Sequence, residues 1–202
     1  MNFHKNGIIS SKGISDTAPL HDMKIKTLSD GGAWARIHWL DVTTDKTWFA
    51  NASEVAKCTD KTNRYSRMGI VDLFKTSKGV YEFMLTYPSL SSTLYNRWSQ
   101  TSSPNATTVT GFTAITTAWN AHNAGIRYHY NSEKTAFYDC DSGDTWFAAI
   151  GQVKSWGTQY IPAADGTSQT STELWVRIDN LSRQTLLRIY DDSITSKDFI
   201  EL

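Results

Sequence analysis

Three groups of residues in this chain carry side chains whose types and spacing could do chemistry. The first is Asp139-Cys-Asp-Ser-Gly-Asp144, with carboxylates at alternating positions before a glycine. Hard cations such as calcium need several oxygens at short spacing, so Asp139, Asp141 and Asp144 are candidate ligands. No Glu closes the run at the offset a calcium loop requires. Asp, Ser and Gly also build any tight turn, and a turn without metal is the expectation. The second group is Tyr95-Asn-Arg-Trp-Ser-Gln100, where Asn96, Trp98 and Gln100 share one face of an extended chain and Arg97 takes the other. A flat indole beside two amides suits a sugar, whose C–H face stacks on the ring while its hydroxyls pair with the amides. Trp119, Trp156 and Tyr160 add aromatics in or near loops to this candidate glycan site. The competing reading makes Trp98 a core residue and puts Asn96 and Gln100 at a sheet margin, since buried tryptophan is common in sandwiches. The third group is the histidines, His4, His21, His38, His122 and His129, and their spacing is not that of a zinc site.

No Gly-x-Ser-x-Gly elbow, Walker loop or dinucleotide fingerprint occurs. Glycoside hydrolysis needs only two carboxylates, and these are free to come from distant positions. Glu82, Asp139, Asp141, Asp144 and Glu173 are available, but nothing singles out a pair. The expectation is a protein that is not an enzyme and holds no cofactor.

Lys+Arg and Asp+Glu number 20 each, so net charge is zero and the electrostatic signature of a nucleic-acid binder is missing. Hydrophobics at 40% are enough for a packed core, and a 12% aromatic content favours β-structure. No apolar run reaches the length of a membrane span, and the opening Met1-Asn-Phe-His-Lys leads into no signal-peptide core. Cys58 and Cys140 are expected as two buried thiols, as in a chain made in a cytoplasm.

Short alternating segments must position these groups. Residues 171–178 put Leu174, Val176 and Ile178 on one side and Glu173, Trp175 and Arg177 on the other, a strand with one buried face. With the apolar run 146–150 it is expected to form the centre of an antiparallel domain. In 33–40, Ala35, Ile37 and Trp39 alternate with Arg36 and His38. Further strands are expected at 80–87, 95–101, 111–115, 126–130 and 136–138, with single helical turns at 53–58, capped by Ser53, and at 117–123. The result is an all-β fold, a β-sandwich of jelly-roll or lectin-like type. Residues 1–30 form an N-terminal hairpin and connection, 31–180 the sandwich, and 181–202 a C-terminal hairpin. The ends echo one another: Asn6-Gly7 marks a two-residue turn, and Asp192-Ser193 stands at the matching place. Phe3, Ile8 and Ile14 in one hairpin and Ile189, Ile194 and Ile200 in the other are candidate attachment residues, because hairpins this small must dock to be stable.

Several segments resemble virion proteins of tailed bacteriophages, especially phages of gut Bacteroidetes. They include Gly-Ala-Trp-Ala-Arg-Ile-His at 32–38, Tyr-Glu-Phe-Met-Leu-Thr-Tyr-Pro at 81–88, Tyr-Asn-Arg-Trp-Ser-Gln-Thr-Ser-Ser-Pro at 95–104 and Glu-Leu-Trp-Val-Arg-Ile at 173–178. The resemblance implies a virion surface or tail component, assembled in the host cytoplasm, of fibre or receptor-binding type and recognising a host glycan. The alternative is a structural adaptor or a capsid or tail decoration protein. Other virion proteins and further copies of the chain are the implied partners.

Overall fold

The structure, a computed structural model, describes residues 2–3, 9–10, 23–29, 32–59, 62–119, 124–131, 134–139, 150, 160–164 and 166–178. Strand β1 (Asn2–Phe3) pairs with β2 (Ile9–Ser10), and then come β3 (Ile25–Thr27) and β4 (Ala33–Asp41). Helix α1 (Ala52–Ala56), β5 (Arg64–Ser66) and a 3-10 helix (Met68–Phe74) follow. Strands β6 (Tyr81–Thr86), β7 (Asn96–Gln100) and β8 (Thr113–Thr117) form a meander. Strand β9 (Ile126–Asn131) pairs with β10 (Lys134–Asp139), and β11 (Ile161–Pro162) with β12 (Ser168–Gln169). The last described strand is β13 (Ser171–Arg177).

The architecture is all-β. Across the main antiparallel sheet the order runs β3, β4, β13, β6, β7, β8. Strand β3 pairs with the first part of β4's outer edge and β5 with the second. The alternation of 171–178 put that strand at the centre, and β13 lies between β4 and β6. Residues 146–149 lie outside the described residues, while Ile150 is in the core. The second sheet of a sandwich is not assembled among the described residues, which add only three two-stranded ladders.

One sheet face carries the main core. Leu174, Val176, Phe83, Leu85 and Trp98 pack there against Val55 of α1 and Met68, Val71 and Phe74 of the 3-10 helix. Those last three are spaced by three residues, the period at which a 3-10 turn stacks side chains on one side. Asn51, not Ser53, caps α1: its side chain accepts from Glu54 N at 3.0 Å, and Glu54 reaches back to Ala50 N. Glu54 thus accepts from the residue just before the cap rather than from Asn51 itself, whereas Ser53 falls inside the helix.

The expectation of one buried face for β13 is corrected by the structure. Trp175 is 1% exposed, and with Trp34 and Met84 it forms a second apolar cluster on the opposite face. The alternation in β4 is corrected too. Leu174 pairs with His38 and Trp175 with Arg36, so Ile37 is an extra residue in the ladder. A bulge points two successive side chains to one side and inverts the alternation beyond it. His38 and Leu40 therefore join Ala35 in facing the core, and Trp39 joins Arg36.

At the N-terminus β1 and β2 pair as the hairpin signal implied, but Phe3 lies opposite Ile9. A two-residue turn at Asn6-Gly7 would set Phe3 opposite Ser10, so the connection has an odd length. The side chains of Phe3 and Asp139 and all of Ile8, Ile14, Asp141, Asp144, Trp156, Ile189, Ile194 and Ile200 lie outside the described residues, as do Cys140 and residues 179–202. Cys58 is a buried thiol whose Sγ points at Arg64 O, 3.9 Å away. Among the described residues no helix is long and apolar enough to cross a membrane.

Candidate functional site: strand β7 and the open sheet edge

Strand β7 holds the residues expected to read a sugar, and the structure gives them another task. Asn96, Trp98 and Gln100 are each 0% exposed. Asn96 Oδ1 accepts from Ala118 N at 2.9 Å and Trp119 N at 3.0 Å, while its Nδ2 donates to Trp119 O at 3.1 Å. Trp98 lies tilted against Phe83, with centroids 5.7 Å apart, and its Nε1 donates to Gln100 Oε1 at 2.9 Å. Gln100 Oε1 also accepts from Ile126 N at 2.8 Å, and its Nε2 donates to Ile126 O and Ser102 O, each at 2.9 Å. An amide pairs with a peptide group as readily as with a sugar hydroxyl, and here main chain fills it. The glycan assignment of these three residues is therefore corrected to a clamp within the protein.

Trp119 is corrected with them. It is 8% exposed and meets Tyr87 edge-on at 5.2 Å, inside the core. Tyr160 is accessible, 40% exposed, with Lys46 Nζ 5.5 Å from its ring centre. Trp156 lies outside the described residues, so the structure does not bring the six candidates together. Gly125, at φ +89°, shows how tightly the clamp closes: a Cβ there would sit 3.0 Å from Gln100 Oε1 and 2.8 Å from Val109 Cγ1.

What the clamp positions is β8. Asn96 grips the chain directly after it, and Ser102 Oγ accepts from Thr110 N at 2.9 Å before it. The β7–β8 ladder pairs Arg97 with Thr116 and Trp98 with Ala114, leaving Ile115 as the extra residue. All five β8 residues are exposed, Ile115 by 46%. This strand is exposed along its length and ends the sheet among the described residues.

The opposite sheet face is closed by its own charges. Lys26 Nζ lies 3.9 Å from the Trp175 ring centre and Arg97 Cζ 5.1 Å from that of Trp34, an arrangement in which cations cover aromatic faces. Burial holds the Lys26 ammonium below its ordinary pKa. Arg36 Nη1 meets Glu173 at 2.7 Å, and Glu82 sits between Arg97 Nη2 at 3.2 Å and Arg177 Nη1 at 3.1 Å. Removing a shared, mostly buried carboxylate leaves two cations facing each other. Glu82→Gln is expected to cost about 2 kcal/mol in urea denaturation, less than a fully buried pair because water still reaches the edge.

Among the described residues His38 and Ser66 come nearest to a catalytic pair, with Nδ1 3.3 Å from Ser66 Oγ. Both are 0% exposed, and Ser66 Oγ donates to Val55 O, so this hydroxyl ties α1 to β5 and is closed to a substrate. Burial first, then the nearby Arg36 charge, push His38 down to about 3. An unfolded histidine takes its proton near 6.5, so stability is complete above that pH and falls as pH drops toward 3. The loss at pH 5 is expected to be about 2 kcal/mol, and absent from His38→Gln. Urea midpoints at pH 8 and pH 5 for both chains check it: parallel pH dependence would contradict the assignment.

Among the described residues no three His, Cys, Asp or Glu side chains converge on one point. In comparisons with protein-family models, curated proteins and solved structures, nothing matches the chain.

Proposed function

We propose that this chain is a structural, non-enzymatic subunit of a phage particle, an adaptor or decoration protein of the tail or capsid that joins its neighbours through sheet edges. The observation that carries this reading is that Asn96 of β7 holds the chain directly after β8, an exposed strand without a charged residue that ends the sheet among the described residues. Solvent-facing edges are usually blunted by lysine or proline, because unpaired peptide groups recruit other strands. An exposed strand held this firmly suits docking by strand addition. The partners are other virion proteins, and the location is the virion.

The receptor-binding alternative keeps one described residue, the exposed Tyr160 beside Lys46. Quantitative mass spectrometry of purified particles, paired with a glycan array, tests the two readings. Assembly requires the chain at a fixed ratio to a major capsid or tail protein. Saturable sugar binding that disappears in Tyr160→Ala would transfer the function to host recognition.

A further inference from the structure

Two strands share the outer edge of β4, and the junction between them gathers positive charge. Strand β3 pairs as far as Ala35, and just beyond it Lys24 O accepts from Arg36 N at 2.9 Å. Strand β5 ends with Ser66 opposite His38, and Arg67 N then donates to Ile37 O at 2.8 Å. The register therefore sets Lys24 and Arg67 against neighbouring residues of one strand, and Arg36 is itself the third cation there. Among the described residues Glu173 is the carboxylate that pairs with this group, and its oxygens are in use. Oε1 accepts from Arg36 Nη1 at 2.7 Å, and Oε2 from Trp175 Nε1 at 3.1 Å and Thr86 Oγ1 at 3.3 Å.

Two donors are left over. Arg36 Nε is buried and has no hydrogen-bond partner. Arg67 is 3% exposed, and among the described residues its side chain makes no hydrogen bond or ion pair. The crowding of charge reaches Lys26 as well. Burial holds that ammonium below its ordinary pKa, and Lys24 and Arg36 push the same way while Glu173 opposes them. A guanidinium keeps its proton, so it cannot relieve its burial by becoming neutral, as a lysine or histidine can. A buried charge without a partner is among the costliest features a fold can hold, and an anion beside it removes that cost.

We infer that this junction is a binding site for a small oxyanion, a carboxylate or phosphate group, held by Arg67 and Arg36 Nε with the exposed Lys24 at its rim. The planar fork of a guanidinium matches two oxygens of either group at once. The side chain of Arg36 keeps 16% of its surface exposed, so the junction opens to solvent on that side. The site lies at the opposite end of the sheet from β8 and does not depend on the assembly role.

Calorimetric titration of the full chain with inorganic phosphate, and separately with acetate, tests this near neutral pH. Chloride holds the ionic strength constant, so that screening is equal throughout. The expected result is saturable binding of at least one anion, with stability that rises with its concentration, as for a ligand of the folded chain alone. The tighter of the two identifies the group the site is built for. Arg67→Met should abolish binding, and Arg67→Lys, which keeps the charge and loses the fork, should weaken it by about tenfold or more. An Arg67→Met chain that does not fold leaves the comparison to Arg67→Lys. The inference is overturned if the unaltered chain binds neither anion saturably. It is equally overturned if binding, or the rise in stability, is the same in the folded variants, since general exclusion of salt from protein surfaces acts on all of them alike.

Discussion

Trp98→Ala should lower stability by about 3–5 kcal/mol, the range for deleting a large aromatic from a packed interior. Against a typical total of roughly 5–15 kcal/mol, that leaves the chain marginal or unfolded at 37 °C. Two losses combine. The indole is 0% exposed, packs on Phe83, and leaves a cavity between β6 and the covering elements. Its Nε1 also donates to Gln100 Oε1, the atom that holds Ile126 N, so one end of the β9 anchor loses a partner. Trp98→Phe separates the effects, since it keeps most of the volume and removes the donor. Its expected cost is about 1–2 kcal/mol. Urea denaturation followed by fluorescence measures both. A Trp98→Ala chain with unchanged stability and altered sugar binding would restore the recognition reading of this residue.

Asn96→Ala should cost about 2–4 kcal/mol, because three peptide groups lose their partner in one step. Ala118 N, Trp119 N and Trp119 O all pair with this one side chain, and the two groups of Trp119 are buried. The effect should be local as well as global. Amide hydrogen exchange at residues 113–119 should speed up far more than exchange in β13 at the sheet centre, since Asn96 fixes the exit of β8. Exchange that rises evenly over the sheet would mean that Asn96 acts only through overall stability.

Much of the fold could be read from periodicity. The clean alternation of 171–178 marked β13, and the strands at 33–41, 81–86 and 96–100 fell within a residue of their expected bounds. The strand expected at 111–115 runs instead over Thr113–Thr117, so Thr117 ends a strand rather than starting a helical turn. Turn chemistry at Gly111 hid this shift: the glycine takes φ +65° and belongs to the connection. The 3-10 helix was missed although Met68, Val71 and Phe74 repeat every third residue, a signal visible in the chain. The candidate site was less legible. Asn96 and Gln100 bond to residues more than twenty positions away, and nothing in their own segment names those partners.

By itself, then, the amino-acid order determined where most strands lie, which of their residues share a face as long as no bulge intervenes, and where charge is missing. Period two follows from the pleat of a single strand, so it needs no neighbour. Tertiary structure alone decided what covers each face and what each amide recognises. Trp175 counted as outward until Lys26 came to lie across its ring. His38 counted as polar-facing until one extra residue in β4, set by its pairing with β13, turned it into the core. Asn96 and Gln100 have the donors and acceptors to hold a sugar, and burial against Trp119 and Ile126 assigned them to the backbone instead. Hydrogen-bonding capacity is written in the side chain, but the partner is set by which groups the fold brings within 3 Å and shields from water.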